Sequence, residues 1–289
     1  SVVGGWILLY LLRGVSGQLW ESGVTYERLF EQMIANPYET VGAQFVFLLY
    51  VIYVVARGVQ DGIEKANKYM MPALFLLFIA LIIRALTLDG AWEGVVFFLK
   101  PDFSELTSEA VLYAMGQSFF SLTVGASVMV TYSSYLSKRE SLTKSATSIV
   151  SLTVLISFLA GLAIFPAVFS LGLEPTEGPG LLFIVLPSVF SKIPFGELFF
   201  VIFLLLFLFA ALTSAFSMLE IIVAAWTGGR QEKRKKVAVF AGLLVFLVGI
   251  PSALSFGVMS DVTWFGKTVF DIADYAVSNV MLPLGALLI

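Results

Sequence analysis

Residues 196–226 carry only two charged side chains, Glu197 and Glu220, and are otherwise apolar, small or hydroxyl-bearing. A helix that crosses bilayer hydrocarbon needs about 20 such residues. Comparable segments recur at 41–57, 62–88, 109–136, 146–170, 237–257 and 271–289, with the second half of another at 1–17. Hydrocarbon offers no water to the backbone, so spans of this length must satisfy their N–H and C=O groups as helices. The expected fold class is therefore an all-α polytopic membrane protein with one transmembrane domain over residues 1–289. Hydrophobic residues make up 59% of the chain, charged residues 13%, and mean hydropathy is +0.95. A soluble domain carries about a quarter charged residues, so composition points the same way.

Charge placement predicts orientation. Arg57, Lys65 and Lys68, then Lys138, Arg139 and Lys144, then Arg230, Lys233, Arg234, Lys235 and Lys236 fall in alternate loops. Together they are 11 of the 17 basic residues, and 15 of the 20 acids lie in or beside the opposite loops. By the positive-inside rule the loops at 57–68, 137–145 and 227–236 are cytoplasmic, in a multi-pass plasma-membrane protein. The remaining stretches read as a polar connection at 18–40, a long loop at 89–108, and a Gly- and Pro-rich re-entrant or capping loop at 171–195. Nothing resembles the basic stripe of a nucleic-acid binder. The chain begins inside one apolar run, Ser1 to Leu12, and ends inside another at Leu287–Ile289. The expectation is a piece of a longer protein.

Both Cys and His are absent. That removes thiolate nucleophiles, imidazole bases and the commonest transition-metal ligands. An intramembrane enzyme would need a nucleophile with an activating base, and no such pair is visible; none is expected, nor any organic cofactor.

Polar groups inside the apolar segments mark the candidate sites. The run Gly116-Gln117-Ser118-Phe119-Phe120-Ser121-Leu122-Thr123-Val124-Gly125-Ala126-Ser127 carries an amide, four hydroxyls and two glycines at mid-span. Its simpler reading is a packing face with hydroxyls bonded back to their own helix. Its sharper reading is a broken helix that coordinates a solute. Thr213, Ser214 and Ser217 form a second hydroxyl cluster midway along 196–226. Oxygen ligands without His or Cys suit a hard monovalent cation. Thr153 and Ser157 share one helical face. Glu220, the one carboxylate deep in a span, is a functional candidate by default, but it lies about two turns from a basic loop and suits a salt bridge equally well. Pro72, ten residues after Gly62, weakens the start of its helix, and that segment could unwind to admit water. Asp271 and Asp274 read either as helix N-terminal charges or as part of an outer gate.

Several of these runs, in this order, resemble the neurotransmitter:sodium symporter family. Gly116-Gln117-x-Phe119-Phe120-Ser121-Leu122-Thr123-x-Gly125, continuing to Thr131-Tyr132-x-Ser134-Tyr135, is similar to its broken sixth helix. Ala210-x-Leu212-Thr213-Ser214 is similar to its eighth, and Gly62-x9-Pro72 and Leu99-Lys100-Pro101-Asp102-Phe103 also match. The resemblance runs from mid-helix 3 to helix 10 of a bacterial LeuT-like amino-acid transporter. It implies a LeuT-type inverted-repeat fold, incomplete in this chain, with helices 1–2 and the C-terminal end absent. Sites in that fold lie at the midplane beside unwound helices.

The resemblance implies a sodium-coupled symporter of an amino acid working by alternating access. Ser121 and Thr153 would ligate a first sodium; the Ala210 carbonyl, Thr213 and Ser214 a second. Phe120, Ser121, Thr123, Ala126, Ala215 and Met218 would line the substrate pocket, with Phe120 as its outer lid. Tyr135 would belong to an inner gate and Asp274 to an outer one. Thr153 stands where many members place Asn or Asp, and Ser157 where some place an acid. Gln117, Ser121, Thr153 and Ser157 would then form an amide-and-hydroxyl nest suited to chloride. Gly228 replaces an inner-gate acid of many members. The small walls at Ala126 and Ala215 favour a bulky apolar or aromatic substrate. Expected partners are that amino acid, the lipid bilayer and, in a homodimer, a second copy. The competing class is a channel-like or non-transporting membrane scaffold.

Overall fold

The computed structural model describes residues 1–20, 25–100, 103–137, 140–170, 172, 180–192, 194–228, 230–264 and 266–288. Residues 101–102 and 138–139 of the sequence runs quoted above, and 173–179 of the Gly- and Pro-rich loop, lie outside the described residues. Apart from one isolated bridge between Trp264 and Lys267, every regular element is helical.

Helix α1 (Val2–Val15) is followed, inside the stretch read as a polar connection, by α2 (Tyr26–Ala35). Its charged residues face outward while Phe30, Met33 and Ile34 are buried, a three-and-four spacing that puts one stripe against the bundle. Helix α3 (Pro37–Ala56) starts at a well-built cap. Asn36 Oδ1 accepts from the Tyr38 and Glu39 amides at 3.1 and 3.4 Å, and Pro37 occupies the first helical position, where its missing N–H costs nothing. Arg13 at the end of α1 pairs with Glu39, tying the C-terminal end of α1 to the N-terminal end of α3.

A π-turn, Val59–Glu64, leads directly into α4 (Lys65–Leu86), with Pro72 inside the helix. The Gly62-x9-Pro72 segment is thus helical here. Helix α5 (Ala91–Leu99) occupies the region read as a long loop. It is apolar but far too short to cross a membrane, and it lies against the following long helix at Gly94. A Cβ there would come within 2.7 Å of Pro166 Cα.

The segment read as one span at 109–136 is interrupted. It consists of α6 (Ser108–Ser121) and α7 (Val128–Ser133), separated by Leu122–Ser127. Helix α8 (Leu142–Phe169) is continuous. A π-turn at Leu181–Val185 and α9 (Leu186–Ser191) form a short apolar cap. Helix α10 (Gly196–Thr227), about 48 Å long at 1.5 Å per residue, is the axis of the bundle and touches α1, α3, α4, α9 and α11. Helix α11 (Arg234–Leu254) packs on α3, and the last region is α12 (Val269–Tyr275), a π-turn at Ala276–Met281 and α13 (Leu282–Leu288). Among the described residues five helices are long and apolar enough to cross a membrane.

The core has two halves along α10. One gathers Trp6, Tyr10, Phe30, Phe183, Phe200 and Leu204, with Phe30 stacked on Phe183 at 5.0 Å and the Tyr10 hydroxyl donating to the Phe183 carbonyl at 2.9 Å. That bond fixes the cap of α9 onto α1. The other half gathers Phe47, Val51, Phe216, Val223 and Ala241 near the basic loops. The hydroxyl-bearing turn of α10 lies where the two halves meet.

Candidate functional site

The interruption between α6 and α7 is built by three residues of left-handed backbone, Thr123 (φ 52°), Gly125 (φ 88°) and Ser127 (φ 57°). Glycine takes that conformation without penalty, whereas a β-branched Thr is an outlier there. Each non-glycine residue so placed costs on the order of 1–3 kcal/mol, which the surrounding contacts must offset. Helix α6 closes through turns from the Leu122 amide to Ser118 O at 3.0 Å and from the Val124 amide to Phe119 O at 3.0 Å. Helix α7 then restarts at Val128. The sequence marked this run by its glycines and hydroxyls, but the strained residue types could not be read from it.

Helix α10 presents hydroxyls at successive turns. Thr213 Oγ1 donates to the Ala210 carbonyl at 2.9 Å, and Ser217 Oγ donates to Thr213 O at 3.3 Å. Thr213 is buried and Ser214 exposed. Helix α7 is docked on this helix by two tyrosines three residues apart. The Tyr132 hydroxyl lies 3.0 Å from Ser217 Oγ, and the Tyr135 hydroxyl donates to Glu220 Oε1 at 2.6 Å. Tyr132 lies on α7 and Tyr135 in the turn just after it, while 217 and 220 share one face of α10, so the two bonds fall on the same side of α10.

Glu220 is fully buried and forms an ion pair with Arg234, which is itself 5% exposed. Arg234 Nη1 donates to Oε1 at 3.1 Å, Nη2 donates to Oε2, and Nε donates to the Val55 carbonyl at 3.0 Å. The two readings left open for Glu220 are thereby decided in favour of the salt bridge. The group ties α10, α11, α3 and α7 together. Its partner Arg234 was legible only as one of five basic residues in a loop; nothing in the spacing singled it out.

The other candidate residues fall as follows. Gln117 Nε2 donates to Ser121 Oγ at 3.3 Å, one turn apart on the last stretch of α6. Among the described residues no hydrogen bond joins that pair to Thr153, which is half-buried, or to Ser157, which is exposed on α8. Phe120 and Met218 are about half exposed, and Thr123, Ala126, Ala210 and Ala215 half-buried. Asp271 is used as a helix cap: its Oδ2 accepts from the Thr268 amide at 3.2 Å and from the Thr268 hydroxyl at 2.8 Å. Asp274 is exposed and pairs with no cation among the described residues. No group of three acidic side chains converges among them either. A cavity of about 970 Å³ opens between Arg57, Asp61, Glu64, Tyr132, Tyr135 and Val150, with Leu122 and Val124 of the break in its lining.

Comparison with known proteins covers nearly the whole chain. The model of the Sodium:neurotransmitter symporter family matches residues 25–284. An uncharacterized sodium-dependent transporter of Bacillus subtilis is 60% identical over all of this chain, and one of Haemophilus influenzae is 39% identical over 99% of it. A sodium- and chloride-dependent GABA transporter of Drosophila melanogaster is 30% identical over 80% of the chain and 25% of its own length. The crystal structure of MhsT in complex with L-phenylalanine superposes with a TM-score of 0.88 at 44% identity, covering 99% of this chain and 65% of that one. The chain spans 64% of the length of the two bacterial relatives.

Proposed function

Because the chain belongs to the sodium:neurotransmitter symporter family, we propose that the protein carries an amino acid into the cell on the energy of sodium entry. The observation that carries this reading is the six-residue break at Leu122–Ser127 in an apolar segment, followed by α7, whose Tyr132 hydroxyl lies 3.0 Å from Ser217 on the hydroxyl-bearing α10. A helix interrupted at membrane depth is tolerated only against protein or a polar cavity, and its freed backbone is suited to ion and solute binding.

In this reading the Ala210 carbonyl and the Thr213 hydroxyl, 2.9 Å apart on one turn, form one edge of a sodium site with Ser214. Ser121, at the end of α6, serves a first sodium with Thr153, and meets substrate together with Phe120, Thr123, Ala126, Ala215 and Met218. The half-exposed Phe120 covers this pocket from outside, and Asp274 contributes to outer closure. The bonds from Tyr132 and Tyr135 to α10 hold the inner half of the broken helix shut, so inward release requires breaking them. The Gln117–Ser121 pair offers an N–H and an O–H toward an anion, which supports chloride as a companion ion with Ser157. The basic loops at 57–68, 137–145 and 227–236 face the cytoplasm in the plasma membrane. A bulky apolar or aromatic amino acid is the preferred substrate, in keeping with the phenylalanine held by MhsT.

Binding of sodium and substrate favours an occluded arrangement, and loss of sodium on the inner side reopens it inward. The full-length protein in proteoliposomes, given labelled L-phenylalanine, should accumulate it only under an inward sodium gradient. Uptake indifferent to that gradient overturns the reading. Replacing chloride by gluconate should slow uptake, and an unchanged rate removes chloride from the scheme.

A further inference from the structure

The break between α6 and α7 is held from a direction that the hydroxyl clusters do not explain. Gly125 lies against α13 with backbone touching backbone. A Cβ on Gly125 would overlap the Leu282 carbonyl oxygen and stand 2.6 Å from the Ala286 amide nitrogen, while a Cβ on Gly285 would overlap the Gly125 carbonyl oxygen and stand 3.0 Å from its carbon. Each glycine is thus seated where the other's side chain would be. Gly116, nine residues earlier, has nothing within 4 Å of its Cβ position, so the close approach is confined to the break. The contact falls in the middle of the three left-handed residues, between Thr123 and Ser127. Directly before α13, the π-turn Ala276–Met281 changes the register of the helix and so sets which face meets the break.

Two strained, non-glycine residues persist only where their surroundings over-determine the backbone. Around Gly125 the surroundings include a rigid helix carbonyl and amide, which have no rotamer to change. A flexible side chain could yield to an added methyl group; two backbones cannot.

We propose that Gly285 is a positioning residue: by lacking a side chain it lets α13 brace Gly125, and this brace holds Leu122–Ser127 in the geometry that presents Ser121 and Thr123 to ion and substrate. Its kinetic consequence rests on the transport reading above. Gly285 touches neither ligand in that scheme, and its effect passes through the main chain of the break.

The test uses the full-length protein in proteoliposomes with L-phenylalanine as probe. Gly285→Ala should raise the half-saturating concentrations of sodium and of phenylalanine by roughly 10- to 100-fold, the cost of misplacing a binding group by about 1 Å, with a smaller change in maximal rate. Gly42→Ala on α3, whose Cβ position is open, should leave both unchanged. A second arm needs neither transport nor the alanine variant to fold. Spin labels on Val124→Cys and Leu284→Cys, both exposed positions, should give one narrow distance distribution with the native glycines. A broad distribution there overturns the brace, as does a Gly285→Ala protein with wild-type half-saturation values. If wild-type protein shows no sodium-driven uptake, the transport reading fails and the distance arm alone decides the brace.

Discussion

Neutralising Glu220 breaks a buried ion pair, the one with Arg234. In Glu220→Gln the side chain keeps its size and its bond from Tyr135, but Arg234 keeps its charge in a site where it is 5% exposed. Of its three acceptors, the Val55 carbonyl at 3.0 Å and one amide oxygen remain, and neither is charged. Removing one partner of a buried pair leaves the other charge uncompensated and costs about 3–5 kcal/mol. Arg234→Met should cost a similar amount, since it strands the fully buried carboxylate with only the Tyr135 hydroxyl. In the double variant no charge is left, the amide retains Tyr135, and the Val55 carbonyl still accepts from the Gly58 amide at 3.1 Å. The double variant should therefore be markedly more stable than either single one, with a coupling of about 3 kcal/mol or more. Unfolding of the full-length protein by SDS in mixed micelles measures all four corners of this cycle. Additive losses, or single variants within about 1 kcal/mol of wild type, would refute the claim, because a solvated pair contributes no more than that.

Three further expectations follow from packing and from the hydroxyl turn of α10. Gly94→Ala forces a methyl group to 2.7 Å from Pro166 Cα, so α5 must lift from α8, with a loss of about 1–3 kcal/mol in the same unfolding assay. Gly116→Ala, in open space, should be neutral or gain up to about 1 kcal/mol. Thr213→Ala removes a hydroxyl 2.9 Å from the Ala210 carbonyl and should raise half-saturating sodium about tenfold, the worth of one bond to a charged group; Thr213→Ser should restore it. Equal sodium dependence in all three proteins would reduce Thr213 to a packing residue.

The two hydroxyl-bearing runs and the likeness to a broken helix were legible in Gly116–Ser127 and Ala210–Ser214 because those runs set polar groups in segments where lipid offers no partners. Helix α2 was also legible in principle: Phe30, Met33 and Ile34 carry a helical spacing that its charged residues and the following Asn36-Pro37 obscured. Helix α5 was not, because nine residues that are apolar except for Glu93 are equally consistent with a buried strand, a loop or a short helix until a neighbour such as α8 is supplied.

The sequence by itself determined that this chain is helical, lies in a membrane and keeps its polar groups in two mid-depth clusters. Hydropathy and charge are local properties, and a bilayer reads them segment by segment. Only the tertiary structure decided that Glu220 belongs to Arg234 and Tyr135, that α7 rests on Ser217, and that Gly125 meets Gly285. Those partners stand 14, 85, 85 and 160 residues apart in the chain. No periodicity links them, because their pairing depends on how the helices around α10 cross rather than on what each helix contains.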